Sequence, residues 1–257
     1  MKIATYNIWN HSDNFLIRTP QLLREIIDSD ADIIALQEVP PYFYDQHLKQ
    51  LPEYPYCEFR QYTEQDEGLA LLSKYPVMAS TFLYDDLHEN CHALHIIVQF
   101  GSVRLSVMNL HLPWDSIIAQ ENQIVLINEF IDAQKPSADY FILLGDFNCG
   151  MDSSVHRFLT GNCSLGNKEA KPCWLDVYST FTCLHGMPLL PTLDCINNPR
   201  WKGKNTIYTP ENFDRIYVMD NWQPFSFEDA KLFGTKINPV SKLCASDHYG
   251  VVVELAF

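Results

Sequence analysis

The sequence predicts an α/β fold of two packed sheets with helices on the outside, on three observations. Ten short stretches are apolar and rich in β-branched or aromatic residues, as strands are. Four of them, between residues 68 and 110, come in a row with no helix between, which a doubly wound parallel sheet does not do. An early and a middle helical stretch each precede a run of strands. The 257 residues are enough to bury a sizeable core, and 47% apolar and 13% aromatic residues are shares of a globular chain, not a disordered one.

Taken in order, the strands are expected at residues 2–9, 32–37, 68–73, 77–84, 93–100, 104–110, 140–145, 206–208, 214–219 and 249–255. The first helix is expected to begin at Thr19-Pro20, a capping residue followed by a good first-turn residue, with Leu22, Leu23, Ile26 and Ile27 along one face. The second is expected over residues 116–133, where Ile117, Ile118, Ile124, Val125, Phe130 and Ile131 recur at helical spacing. Shorter helices are expected at 42–50 and 153–159. "LLSKYPV" and "QFGSV" read as tight connections between antiparallel neighbours. Residues 161–205 are rich in Cys, Asn, Pro and Gly and read as long surface loops with little regular structure.

No linker, low-complexity tract or repeat divides the chain, so one domain over residues 1–257 is expected. No stretch approaches the ~18 apolar residues of a transmembrane helix. "MKIATYNIWN" lacks the apolar region of a signal peptide and reads as a first strand, which points to a cytoplasmic protein. The eight cysteines show no zinc-type spacing and read as reduced, packed thiols, with a disulfide as the alternative. The net charge of −14 argues against a protein that tracks long duplexes, whose binding is driven by neutralising phosphates. It is compatible with an acidic cleft filled by a divalent metal.

Several strong strands end in polar groups. "KIATYNIW" carries Asn7, "DIIALQEV" ends in Gln37-Glu38, and "LSVMNLHL" ends in Asn109 and His111. "FILLGDFN" ends in Asp146 and Asn148, "FDRIYV" begins with Asp214, and "ASDHYGVVV" places Asp247-His248 before the last strand. Singly, a Glu or Asp at a strand end is a solvated or capping residue, and a lone His is a hydrogen-bonded structural one. Asn7 is sharper, because a carboxamide among Ile3, Ala4, Ile8 and Trp9 is costly unless it is bonded. As a set they are convergent polar groups on a rigid scaffold. Carboxylates and amide oxygens suit Mg²⁺ or Mn²⁺. A spacing of two along a strand puts Asp146 and Asn148 on one face. Two histidines could donate to the oxygens of a five-coordinate phosphorus. The set points to metal-assisted hydrolysis of a phosphoester.

The motifs "TYNIW", "ALQEV", "NLHL", "GDFN", "FDRIYV" and "ASDHYG", with "EGLALLSKYP" between them, resemble those of the endonuclease/exonuclease/phosphatase family, in the family's order. The resemblance implies the DNase-I-like fold: a four-layered α/β sandwich of two mostly antiparallel sheets with helices outside and the active site at one end. It implies Glu38 as main metal ligand, with Asn7 and Asp247 as ligands or close supports. It implies Asp146 as the group that orients or deprotonates the attacking water, and Asn148 and His111 as phosphate contacts. His248 would be the catalytic histidine, held in place by Asp214. "PTLDCINNP" resembles a segment of the sphingomyelinase-like, deadenylase-like and tyrosyl-DNA-phosphodiesterase-like branches, with Leu193 at the usual aromatic position. Thr192, Asn197 and Asn198 there could contact phosphate, or form an Asx-rich turn.

"PRWKGKN" places Arg200, Lys202 and Lys204 around Trp201, a pattern able to bind a nucleotide by charge and stacking or to form an ordinary solvated loop. The expected activity is that of a Mg²⁺- or Mn²⁺-dependent phosphodiesterase acting as a monomer on a small phosphodiester or a nucleic-acid end, without membrane insertion. The alternatives are a phosphomonoesterase of sugar, nucleotide or inositol phosphates, and a binding module of the same fold without turnover.

Overall fold

The computed structural model describes residues 1–12, 15–84, 92–204 and 209–257. In chain order the strands and helices are β1 (Lys2–Asn7), α1 (Phe15–Asp28), β2 (Ile33–Gln37), α2 (Pro41–Gln46), β3 (Tyr56–Gln61), β4 (Gly68–Ser73), β5 (Val77–Tyr84), β6 (His92–Phe100), β7 (Val103–His111), α3 (Ile117–Gln134), β8 (Tyr140–Asp146), α4 (Ser154–Leu159), β9 (Trp174–Asp176), α5 (Val177–Leu184), β10 (Asp214–Met219), β11 (Ser226–Phe233) and β12 (Gly250–Ala256). They build two six-stranded sheets, in the orders β11-β12-β1-β2-β4-β3 and β5-β6-β7-β8-β10-β9. Each is antiparallel except for one parallel pair, β1 with β2 and β7 with β8.

The period-2 alternation of the strands produces four layers. Inward-facing residues such as Ile3, Ile33, Leu69, Ile96, Val107, Ile142 and Ile216 form the core between the sheets. Ala4, Tyr6, Ile34 and Leu72 face outward onto Leu22, Ile26 and Phe43 of α1 and α2. Met108, Phe141, Leu143 and Tyr217 face outward onto Ile124, Ile127 and Ile131 of α3. Ser116 caps α3, its hydroxyl accepting from the Ala119 N–H. Among the described residues no helix is long and apolar enough to cross a membrane. The seven described cysteines are free thiols.

Four expectations differ from the structure. The first helix begins at Phe15, not at Thr19-Pro20, and Pro20 lies inside it. Thr19 does not cap; its hydroxyl donates to the Phe15 carbonyl one turn back. "LLSKYPV" does not join antiparallel neighbours: β4 pairs with β2 and β3, while β5 pairs with β6 in the other sheet, so this segment carries the chain between layers. Residues 161–205 contain β9 and α5, which is capped by Asp176 accepting from Ser179 N–H, and Trp174 is anchored by donating to Asn128 Oδ1. Their shortness hid them among turn-forming residues. The strands β3 and β11, absent from the sequence reading, lie at sheet edges, where half-exposed residues blur the apolar pattern. The expected strand at 206–208 lies outside the described residues.

Candidate active site

The apolar inner face turns polar at one end of the sandwich. In the first sheet the inward row Ile3, Thr5 ends in Asn7, which is in register with Gln37 of β2. In the second sheet three polar residues share one row. Asp146 is in register with His111 of β7 on one side and with Asp214 of β10 on the other. Strand pairing alone therefore gathers these three side chains. Buried strands end in carboxylates here because alternation brings them to the mouth of the gap between sheets. Gly145 makes the approach possible: at φ 142°, an added Cβ would lie 1.9 Å from the Leu110 carbonyl oxygen.

The chain leaves these strands through strained residues. Trp9 after β1, Glu38 after β2 and Asn148 after β8 have φ values of 59°, 55° and 48°. Non-glycine residues in this region cost about 1 kcal/mol or more each, and such strain collects at functional sites. Asn148 consequently does not continue the strand. Its N–H turns back to donate to Asp146 Oδ1 at 2.8 Å, and its Nδ2 donates to the Leu112 carbonyl.

Asn7 ties the cluster together. Its Nδ2 donates to Glu38 Oε1 at 2.8 Å and to Asp146 Oδ2 at 2.9 Å, while its Oδ1 accepts from Trp9 N–H. Glu38 Oε2 accepts from Asn10 N–H. The Asp146 carboxylate lies 3.8 Å from His111 Nε2 and 3.8 Å from His248 Nδ1. Tyr62 OH lies 3.3 Å from His111 Nδ1. His248 Nδ1 donates to Asp214 Oδ2 at 2.9 Å. Burial disfavours the charged imidazole of His248, but Asp214 and then Asp146 outweigh it and hold its proton well above the usual histidine range. These two carboxylates thus favour the protonated form of His248, which lines the cleft.

Of these side chains Glu38, His111, Asp146 and His248, with Asn148, line a cleft of about 530 Å³ that also includes Asn10, Gln65, Asp66, Glu67, Trp114, Leu193, Trp201, Phe213 and Asp247. Burial and then the neighbouring Glu38 push the Glu67 carboxyl up. Burial raises Asp247 to about 6, with Glu38 adding to it against the pull of His248. Glu38, Glu67 and Asp247 thus bring carboxylates of one sign to one cleft, and oxygen donors of this kind could hold a hard divalent cation. Asp146, Asp214 and His248 also bring one ligand atom each within 4.8 Å of one another. Asp214 Oδ2 is already committed to His248, while Glu38, Glu67 and Asp247 line the same cleft. A metal held among these carboxylates would supply positive charge to a phosphoryl oxygen and a more acidic water.

The remaining residues expected in substrate binding divide. Trp201 lines the cleft, and its Nε1 donates to the Asp247 carbonyl. Thr192 is buried, and its hydroxyl accepts from the N–H groups of Phe213 and Asp214. Asn198 is buried, donating to the Ser246 carbonyl and accepting from Arg200 N–H. Both hold the strands that present Asp214 and His248. Asn197 donates to Asp194, whose carboxylate also accepts from the Ile196 and Asn197 N–H groups, an Asx-rich turn away from the cleft. Arg200 is buried, with its Nε on the Cys244 carbonyl and its guanidinium 4.9 Å from the Trp9 ring centre. Lys204 sits 5.0 Å from the ring centres of Trp9 and Trp201, and Lys202 is exposed.

Sequence reasoning passed over Glu67, Asn10, Tyr62, Trp114 and Arg18. Glu67 carried a signal, since it stands immediately before the buried strand β4, as Asp214 opens β10. Arg18 did not: a buried arginine on α1, it donates to the carbonyls of Ile8, Trp9, His11 and Ala245 and so shapes the Trp9–Asn10 turn.

A model of the Endonuclease/Exonuclease/phosphatase family matches residues 4–248. The chain belongs to this family. Membership makes it a phosphoester hydrolase of a divalent-metal-dependent class. No curated protein matches the chain by sequence. Among solved structures it resembles D. rerio TDP2 complexed with a single-strand DNA product, at 18% identity and a TM-score of 0.78, covering 100% of this chain and 99% of that one. Truncated C. elegans TDP2 is 16% identical with a TM-score of 0.77, covering 100% and 97%. An endonuclease/exonuclease/phosphatase from Bacteroides vulgatus is 17% identical with a TM-score of 0.74, covering 100% and 98%. These likenesses show the DNase-I-like fold that the family shares with its relatives, two sheets packed face to face between helices.

Proposed function

We propose that the chain is a Mg²⁺- or Mn²⁺-dependent phosphodiesterase that hydrolyses a small phosphodiester or a nucleic-acid end by attack of water on phosphorus. The observation that carries this reading is the charge of the cleft. It is lined by five acids, two histidines and, among the described residues, no Lys or Arg. A phosphodiester brings one negative charge, which the metal and the His248 imidazolium can balance. A sugar or inositol polyphosphate brings several, and nothing else in the lining would meet them. The single-strand DNA product held by D. rerio TDP2 supports an end of a nucleic acid as the substrate class.

In this reading Glu38 and Asp247, with Glu67 beside them and Asn7 supporting Glu38, hold the metal. Asp146, oriented by Asn7 Nδ2 and by Asn148 N–H, accepts a proton from the attacking water or fixes it. His111 and His248 donate to phosphoryl oxygens, and Asp214 holds His248 in the required tautomer. The test is hydrolysis of bis(p-nitrophenyl) phosphate and p-nitrophenyl phosphate side by side in Mg²⁺. Preference for the diester is expected. Preference for the monoester would replace this reading with that of a phosphatase, and turnover of neither in a broad panel would leave a binding module.

A further inference from the structure

A second cavity of about 580 Å³ adjoins the catalytic cleft, and the two share Trp114, Asn148 and Phe213. Because the shared wall includes Asn148, a phosphodiester over Asp146 and Asn148 could extend one ester substituent into this space. Its chemistry is unlike that of the cleft. Trp114, 66% exposed, and Phe213 offer aromatic faces, Gln120 and Ser154 are neutral, and the charged groups are Asp152 and Glu211. Among the described residues no Lys or Arg lines it.

Glu211 is fixed in place rather than waving in solvent. Its N–H donates to the Leu193 carbonyl, and its own carbonyl accepts from the N–H groups of Leu193 and Thr192. Its Oε1 accepts from Asn212 N–H. Its carboxylate packs on Gly150, where an added Cβ would come within 2.6 Å of Oε2. The glycine leaves room for a carboxylate that the backbone holds at the wall of the cavity.

We propose that this cavity is a subsite for one ester substituent, in which Trp114 and Phe213 stack on a planar uncharged group and Glu211, with Asp152, turns away a substituent bearing an anion. The inference rests on the phosphodiesterase reading and narrows it: the substrate class is a phosphodiester with an aryl or nucleobase-like substituent and no further phosphate on that side. A polynucleotide could then enter by its end but not thread through.

Binding of three symmetric diesters, dimethyl, diphenyl and bis(para-carboxyphenyl) phosphate, is measured by NMR titration in Mg²⁺ for the full chain and for Trp114→Ala, Trp114→Phe and Glu211→Gln. Symmetric ligands present the same group to the subsite in either orientation. Diphenyl phosphate is expected to bind about tenfold more tightly than dimethyl phosphate, in line with aromatic stacking. The added carboxylates should remove that advantage. Trp114→Ala should bring diphenyl down to dimethyl, Trp114→Phe should keep most of the preference, and Glu211→Gln should restore several-fold binding of the carboxyphenyl diester. Unchanged dimethyl affinity in Glu211→Gln, whose side chain lines only the second cavity, shows that the cleft is intact. Equal binding of diphenyl and dimethyl phosphate, a preference untouched by Trp114→Ala, or a carboxylate penalty untouched by Glu211→Gln would each overturn the proposal. Hydrolysis of bis(p-nitrophenyl) phosphate by the unsubstituted chain is followed alongside. Its absence would sink the phosphodiesterase reading while the binding pattern still decides the subsite.

Discussion

Asn7 and Asp146, 139 residues apart in sequence, meet at 2.9 Å, with Nδ2 of the first donating to Oδ2 of the second. One ends β1 of the first sheet and the other ends β8 of the second. The bond joins the two sheets at the point where the candidate chemistry sits, and the same amide nitrogen also donates to Glu38. In the proposed mechanism, one side chain therefore positions both the carboxylate assigned to the metal and the one assigned to the water.

Replacing Asn7 with Ala should thus cost more than one contact. Turnover of a diester should fall about 10²-fold, as for loss of one orienting group in a preorganised site. Stability should fall by about 1–3 kcal/mol, because buried partners lose their bonds. Steady-state kinetics and urea unfolding of Asn7→Ala check both, and unsubstituted rates would remove Asn7 from the account.

Asp214 fixes His248 through a single bond to Nδ1. Asp214→Asn keeps the shape but loses the charge that selects the tautomer and holds the proton. A rate loss of about 10²-fold or more is expected, with little change in far-UV circular dichroism. A variant that turns over normally would show that His248 is oriented by other groups.

Burial raises the carboxyls of Glu67 and Asp247 in one corner of the cleft, and the neighbouring Glu38 adds to both. If that corner holds the ion, Glu38→Ala should weaken Mg²⁺ binding about tenfold or more by titration calorimetry. An unchanged isotherm would move the metal to the Asp146, Asp214 and His248 group.

These residues were legible for a physical reason. Asn7, Glu38, His111, Asp146, Asp214 and His248 all stand at or within two residues of the end of a strongly apolar strand, and an apolar run is a local property of sequence. What was hidden depends on distant packing. The segment "LLSKYPV" announces a turn, but which sheet receives the next strand is decided by the layers. Arg18 shapes the Trp9–Asn10 turn from a helix face that reads as ordinary. The left-handed backbone at Glu38 and Trp9 has no signature in those residue types. Edge strands β3 and β11 carry too few buried residues to show a period.

His95, buried in β6, predicts a pH dependence of stability. It is buried between strands, bonded to Ser106 Oγ at 2.8 Å and packed edge-on to Phe130. Burial pushes its pKa down to about 4. Between about 6.5 and 4 the unfolded chain binds a proton that the folded chain refuses, so its contribution is intact above about 6.5 and is lost as pH falls towards 4. The loss amounts to about 3 kcal/mol at most. Urea unfolding at neutral pH and near the lower limit should show a smaller drop for His95→Gln than for the unsubstituted chain. Equal drops would assign the acid sensitivity elsewhere.

The most direct test of the central claim, that the convergence on Asp146 is a metal-dependent catalytic centre, is hydrolysis of bis(p-nitrophenyl) phosphate under three conditions. The unsubstituted chain is assayed with Mg²⁺ and again with EDTA, and Asp146→Asn is assayed with Mg²⁺. Turnover in the first, with its loss in EDTA and a fall of about 10²–10³-fold in the variant, is the predicted result. Turnover that survives EDTA, or an Asp146→Asn variant as fast as the unsubstituted chain, would contradict it.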